Sequence, residues 1–314
     1  MQQIISVLEM VLPVLIMIFL GYLCRTKGLV SKEGLSGIKG VISNITLPVV
    51  LFQAFYTTSY SAKSLLSFAI VFTSCCLALA AGHFLNRFVA NSKLMPYLLS
   101  GFEVGMLGYA LFGLLAGTDN LSYMATVDLG QVIFVYTIYL TLLKNAAGQK
   151  TNAKGIFFGM LKNPAFQGVA VGIITGVTGL GSLIDGSAAG GIFRETIQMI
   201  TLPTSGMILI IVGYELSVKK ELIGPVVKTI ALRILVMGLL LCLSALVMFS
   251  IVPFDKNLFT AMILLFSLPA PFIIPLYADV DAEGVYISTT LSMNTLVTIL
   301  IFIGLSKALY LFHL

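Results

Sequence analysis

The sequence predicts an all-α membrane protein of ten transmembrane helices, built as two inverted five-helix repeats. Three observations carry this. Only 10% of the 314 residues are charged while 58% are apolar, and mean hydropathy is +1.04. The apolar residues fall in continuous runs of about 20, the length of one helical span. A short motif recurs near the half-length of the chain, at 45–48 and again at 200–203.

The composition excludes other classes. A soluble globule of this size cannot cover itself with so few charges. The net charge of +5 is too small and too scattered for a phosphate-tracking surface, so no nucleic-acid partner is expected. Barrel strands run near 10 residues and alternate, unlike these runs. Cys24, Cys75, Cys76 and Cys242 lie in apolar segments without metal-ligand spacing and read as core or lipid-facing residues. No G-x-S-x-G, H-E-x-x-H or P-loop is present, so neither an enzyme nor an ATP-driven pump is expected of this chain.

The predicted spans are 4–24, 36–56, 65–86, 96–116, 121–143, 164–184, 192–216, 226–252, 258–278 and 284–311. The first carries Glu9, lacks a basic leader and is followed by Arg25 and Lys27, so it reads as a span and not a cleavable signal. The first repeat covers 1–143, a basic connector 144–163, and the second repeat 164–314. Phe157, Phe158 and Met160 suggest that the connector lies along the membrane surface.

The loops alternate in charge. One side carries twelve cations: Arg25, Lys27, Lys32, Arg87, Lys93, Lys144, Lys150, Lys154, Lys162, Lys219, Lys220 and Lys228. The other carries three, Lys63, Lys256 and Lys307. The positive-inside rule puts the richer side in the cytoplasm and both termini outside, in a multi-pass inner-membrane protein. Asp279, Asp281 and Glu283 fall on the cytoplasmic side, but acids weigh little in that rule.

The repeat rests on features in register. Ile-Thr-Leu-Pro occurs in the second span and in the seventh, with Lys39 nine residues before the first proline and Arg194 nine before the second. Tyr123-Met124-Ala125-Thr126 opens the fifth span and Tyr286-Ile287-Ser288-Thr289 opens the tenth. Five spans per half is odd, so the second half enters the membrane inverted, a common plan of secondary transporters.

Two spans at matching positions are interrupted. The ninth contains Pro269, Pro271 and Pro275 around Ala270. Each proline removes an amide donor and clashes with the preceding turn. The fourth has Gly101, Gly105, Gly108 and Gly113, with Glu103, Met106 and Tyr109 among them. Irregular backbone at membrane depth is tolerated where it is buried or lines a wet cavity. Interrupted spans at corresponding places point to a binding site. The plainer alternative is that the glycines pack helices closely and the prolines only kink.

Acids at bilayer depth are costly and often functional. Glu103 and Asp128 lie about seven residues inside their spans, or roughly 10 Å at 1.5 Å per residue, and are the candidates for proton or ion coupling. Glu9, Lys39, Arg194, Glu195 and Glu215 lie near span ends, and Arg233 about two turns in; interfacial anchoring and snorkelling suit all six. Asn44, Gln131 and Asn294 serve either as helix-to-helix bonds or as site residues.

At this point the chain resembles the auxin efflux carrier family, the bacterial malate and malonate permeases and plant auxin exporters. The motifs are Leu35-Ser36-Gly37-Ile38, Leu47-Pro48, Asn163-Pro164, Leu268-Pro269 with Pro275, and Ile287-Ser288-Thr289. The resemblance implies a scaffold domain and a transport domain whose fourth and ninth helices are broken and cross near the bilayer centre. Two positions depart from the pattern: Glu103 stands where the family often has asparagine, and Ala110 where it has proline. Gln131 falls where plant members have a glutamine near the substrate.

The function this implies is alternating-access transport of small organic anions, dicarboxylates or auxin-like acids. No cofactor is expected; H⁺ or Na⁺ would be the coupling ion. The partners are a small-molecule substrate and the lipid bilayer, and the resemblance leaves open a homodimer through the scaffold helices. Two alternatives remain from sequence: a membrane sensor on a transporter fold, and a transporter of another solute, such as an amino acid.

Overall fold

The computed structural model describes residues 2–89, 92–148, 153–216, 220–276 and 282–311. Lys150, Lys219, Asp279 and Asp281 of the charge argument, and the side chains of Glu9, Lys154, Phe157 and Lys220, lie outside the described set. The described residues are mostly helical, with no strand among them. In chain order the helices are α1 Gln2–Thr26, α2 Lys32–Tyr56, α3 Ala62–Val89, α4 Met95–Leu98, α5 Val104–Ala116, α6 Thr118–Ala146 and α7 Ala153–Leu161. They continue as α8 Pro164–Val177, α9 Leu180–Asp185, α10 Gly190–Glu215, α11 Ile223–Ile251, α12 Lys256–Ser267 and α13 Ala282–Leu311. Six of these, α2, α3, α6, α10, α11 and α13, are long and apolar enough to cross a membrane. Shorter apolar helices occupy Leu12–Thr26, Val104–Ala116, Pro164–Val177 and Lys256–Ser267, where the sequence places the other spans. The chain is a multi-pass membrane protein of helical fold.

Local chemistry sets the helix ends. The Ser31 hydroxyl accepts from Gly34 N at 3.1 Å and starts α2. The Asn163 side chain accepts from Phe166 N at 3.1 Å, with Pro164 in the first turn, and starts α8. Asp255 accepts from Leu258 N at 3.1 Å and starts α12. Each supplies an oxygen to an amide that has no intrahelical acceptor. Asp255 also pairs with Lys63 at 2.6 Å, joining the start of α3 to that of α12. The connector contains α7, with Phe158 exposed and Met160 half-buried.

The helices pack in two groups. In one, α1 lies along α10 and the second half of α2 lies along α8. Glycine permits the first contact: a Cβ on Gly21 would sit 2.0 Å from the Ile210 oxygen, and one on Gly213 would sit 1.9 Å from the Ile18 oxygen. Helices in lipid gain little from apolar burial, so such backbone approach supplies the packing. In the other group α3 packs on α6, and α11 contacts α3, α12 and α13. Large apolar side chains face outward along these helices, among them Phe19, Met199, Leu235 and Leu246.

Both interruptions are present. Between α4 and α5, residues 99–103 leave the helix, with Gly101 at φ +67°, a conformation that side chains with a Cβ rarely adopt. After α12, Leu268 turns extended (φ −64°, ψ 151°), as a residue before proline must. Residues 268–273 stay non-helical up to a short 3₁₀ turn at Ile274–Leu276. Three π-helical turns, Ile42–Thr46, Val104–Gly108 and Val135–Tyr139, add a residue to α2, α5 and α6.

Candidate functional site

The two interruptions lie against each other. Glu103 N donates to the Pro269 oxygen at 2.9 Å. The Glu103 carboxylate accepts from Met106 N at 3.1 Å, capping α5, and from Phe272 N at 2.6 Å across the junction. One acid thus takes an amide from each broken segment. Gly101 adjoins the Pro271 ring: an added Cβ would come within 3.0 Å of it.

Arg233 of α11 reaches the same junction from the opposite charge. It is 3% exposed and donates to the oxygens of Leu98 at 2.7 Å, Gly101 at 2.7 Å and Leu268 at 2.8 Å. Its guanidinium also lies 5.8 Å from the centre of the Phe102 ring. The Leu98 and Leu268 carbonyls end α4 and α12, where helix termini leave unpaired oxygens and partial negative charge, and the Gly101 carbonyl lies in the non-helical stretch between α4 and α5. Thr298 of α13 adds a bond to the Ser267 oxygen at 2.5 Å. The expectation that Arg233 snorkels is therefore replaced: its head group is buried on backbone oxygens.

A cavity of about 680 Å³ meets this junction. Its lining includes Met106, Phe272 and Pro275 from the broken segments, and Ser288, Leu291 and Thr295 from α13. Arg25, Lys32, Lys39, Ser43, Tyr214 and Glu215 line it from α1, α2 and α10. Three cations and one carboxylate therefore face the same space. Lys39 and Glu215 form an ion pair between α2 and α10. Arg25 donates to the Leu216 oxygen at 2.5 Å, closing the end of α10.

The sequence candidates distribute unevenly around this cavity. Met106 and Pro275 line it, and Glu103 is bonded to the amides of Met106 and Phe272 behind its wall. Pro269, Ala270, Pro271, Gly105 and Gly108 form the junction, with Gly105 beside Leu47 and Gly108 beside Leu268. Gln131 is buried and donates to the Phe102 oxygen at 2.7 Å, while its own carbonyl oxygen has no partner among the described residues. Asp128 is 2% exposed; it accepts from the Tyr109 hydroxyl at 3.1 Å, and its second oxygen has no partner among the described residues. Asn44 is exposed and donates to the Gly40 oxygen of its own helix at 2.7 Å. Asn294 lines a separate cavity of about 130 Å³ with Arg233, Met237 and Ser267.

Sequence reading did not assign Arg25, Lys32, Lys39, Glu215 or Phe272 to the site. In sequence the four charged residues read as loop or interfacial charges. Their position near span ends carried no hint that α1, α2 and α10 enclose a common space. Among the described residues, no group of three or more His, Cys, Asp or Glu could hold a metal ion.

Comparison with known proteins points to membrane transport. The family model described as "Membrane transport protein" matches residues 6–306. A transporter of Methanothermobacter thermautotrophicus, described only as uncharacterized, is 22% identical over 202 residues. That match covers 62% of this chain and 65% of the relative, just under two thirds of its length. With the family model running over nearly the whole chain and through both broken segments, the protein belongs to the membrane transport protein family of auxin efflux carriers.

Proposed function

We propose that this protein is a secondary transporter of small organic anions, dicarboxylates or auxin-like acids, working by alternating access. The observation that carries this is the cavity of about 680 Å³, lined by Arg25, Lys32 and Lys39 and by Met106, Phe272 and Pro275 of the broken segments. Three cations against one carboxylate favour an anion, and the favour grows where low-dielectric walls exclude water. The hydroxyls of Ser43, Ser288 and Thr295 can accept or donate to a carboxylate or hydroxyl group of the substrate.

The packing supports an inverted repeat of ten spans. The first span lies along the seventh, and the second along the sixth. A pseudo-two-fold that exchanges the halves turns one of these contacts into the other, as inverted-topology transporters require. The group holding α1, α2, α8 and α10 then serves as scaffold. The group holding both broken segments moves against it, and the cavity lies between the two.

The cytoplasmic side of the cavity follows from the loop charges, since Arg25 and Lys32 belong to the basic side. Glu103 is the proposed coupling residue and Asp128 the second candidate. Glu103 bonds directly to both broken segments, so a change in its charge acts on the junction itself. Asp128 has one free oxygen within the moving group.

The test is uptake into proteoliposomes of labelled malate, malonate, auxin-like acids and amino acids, with and without a pH or Na⁺ gradient. Accumulation of a carboxylate under a pH gradient supports the reading. Uptake confined to amino acids or cations would overturn it.

A further inference from the structure

Arg233 enters the junction from α11, a helix that belongs to neither broken segment. Its three hydrogen bonds run to Leu98 and Gly101 on one segment and to Leu268 on the other. None of its described partners is an acid, and the two described ion pairs, Lys39 with Glu215 and Lys63 with Asp255, lie elsewhere. A full charge at membrane depth is costly unless it is satisfied. Here backbone oxygens satisfy it, and they are oxygens that broken helices would otherwise leave bare.

We infer that Arg233 is a positioning residue for transport: it holds both broken segments and α11 together, and so fixes the cavity wall formed by Met106, Phe272 and Pro275. Moving either segment alone would strand both the cation and the carbonyls. The two segments therefore travel as one piece with α11, and through the Thr298 bond with α13. The planar guanidinium is suited to this, because its fixed fork serves carbonyls in several directions at once. A lysine ammonium keeps the charge but is a compact head on a flexible stem, and does not span the same three oxygens. Glu103 makes the complementary connection, taking amides where Arg233 takes carbonyls.

The kinetic part of this inference rests on the transporter reading; the structural part does not. The experiment is amide hydrogen exchange on purified wild type, Arg233→Lys and Arg233→Met in nanodiscs, with malate uptake kinetics alongside. In Arg233→Met, peptides covering 99–103 and 268–273 should exchange at least tenfold faster, while those of α1 and α10 keep wild-type rates. The KM for malate should rise at least fivefold. Arg233→Lys should fall between the two proteins in both readouts. Should Arg233→Met not purify as a single species, Arg233→Lys decides alone, by faster exchange confined to the two segments. Wild-type exchange at both segments, or equal acceleration in every helix, overturns the inference, as does an unchanged KM in a variant whose segments have loosened. If the wild type transports none of the acids, the transport reading fails and exchange still decides the role of Arg233.

Discussion

Glu103 illustrates how one side chain can be read two ways. An acid between apolar neighbours and glycines suggests a proton site. Its bonds show a second role, because both carboxylate oxygens accept backbone amides from separate segments. Neither Lys39 nor Arg233 is among its bonded partners: Lys39 pairs with Glu215, and Arg233 bonds to carbonyls. Glu103→Gln tests both roles at once. The amide group places a donor against one of the two N–H groups, which should lower stability by about 1–3 kcal/mol, the range for an unmet buried bond. Anion exchange should persist while its pH dependence is lost. A wild-type pH profile in that variant would leave Glu103 as a brace only. At the cavity, Lys39→Ala should raise the KM for a dicarboxylate about tenfold, a change of roughly 1.4 kcal/mol. An unchanged KM with Lys39→Ala would remove Lys39 from the anion path.

At the scale of elements, much was legible because helix ends and breaks are written in local chemistry. Ser31, Asn163-Pro164 and Asp255 mark starts, and Pro269 marks a stop, through bonds within a few residues. What stayed hidden depends on direction around a helix. The π-helical turn at Ile42–Thr46 shifts the facing of the residues after it, and Asn44 within it is exposed and bonded to its own helix. Sequence gives the depth of Arg233 but not that its head points inward to Leu98 and Leu268. The meeting of Glu103 with Phe272 joins residues far apart in the chain, beyond any local pattern. Two predictions belong here. Replacing Pro269, Pro271 and Pro275 together by alanine should let α12 continue past Ser267 and abolish transport while expression survives; full transport would contradict the role given to the break. Gly213→Val should separate α1 from α10, because its Cβ would fall 1.9 Å from the Ile18 oxygen. A loss of stability at or above the top of the usual range, about 3 kcal/mol, is expected in detergent melting; a wild-type midpoint would mean the helices can part without cost.

For the whole molecule, the two packed groups and the cavity are the parts on which the proposed alternating access depends. The orientation proposed from the loop charges has its own test: a reporter fused after Leu314 should read as non-cytoplasmic, and a cytoplasmic reading would reverse the side on which the cavity is proposed to open. The cavity is the proposed path of the substrate from the cytoplasm. It is tested most directly by substrate protection of a cysteine placed in the wall. Ser43 lines the cavity together with Met106, Phe272 and Pro275 of the broken segments, so Ser43→Cys, in a protein whose Cys24, Cys75, Cys76 and Cys242 are replaced by serine, reports on that space. A membrane-impermeant thiol reagent should label it from the cytoplasmic side, and a saturating organic anion that the protein transports should slow that labelling at least fivefold. Labelling at the same rate with and without the anion would contradict the claim.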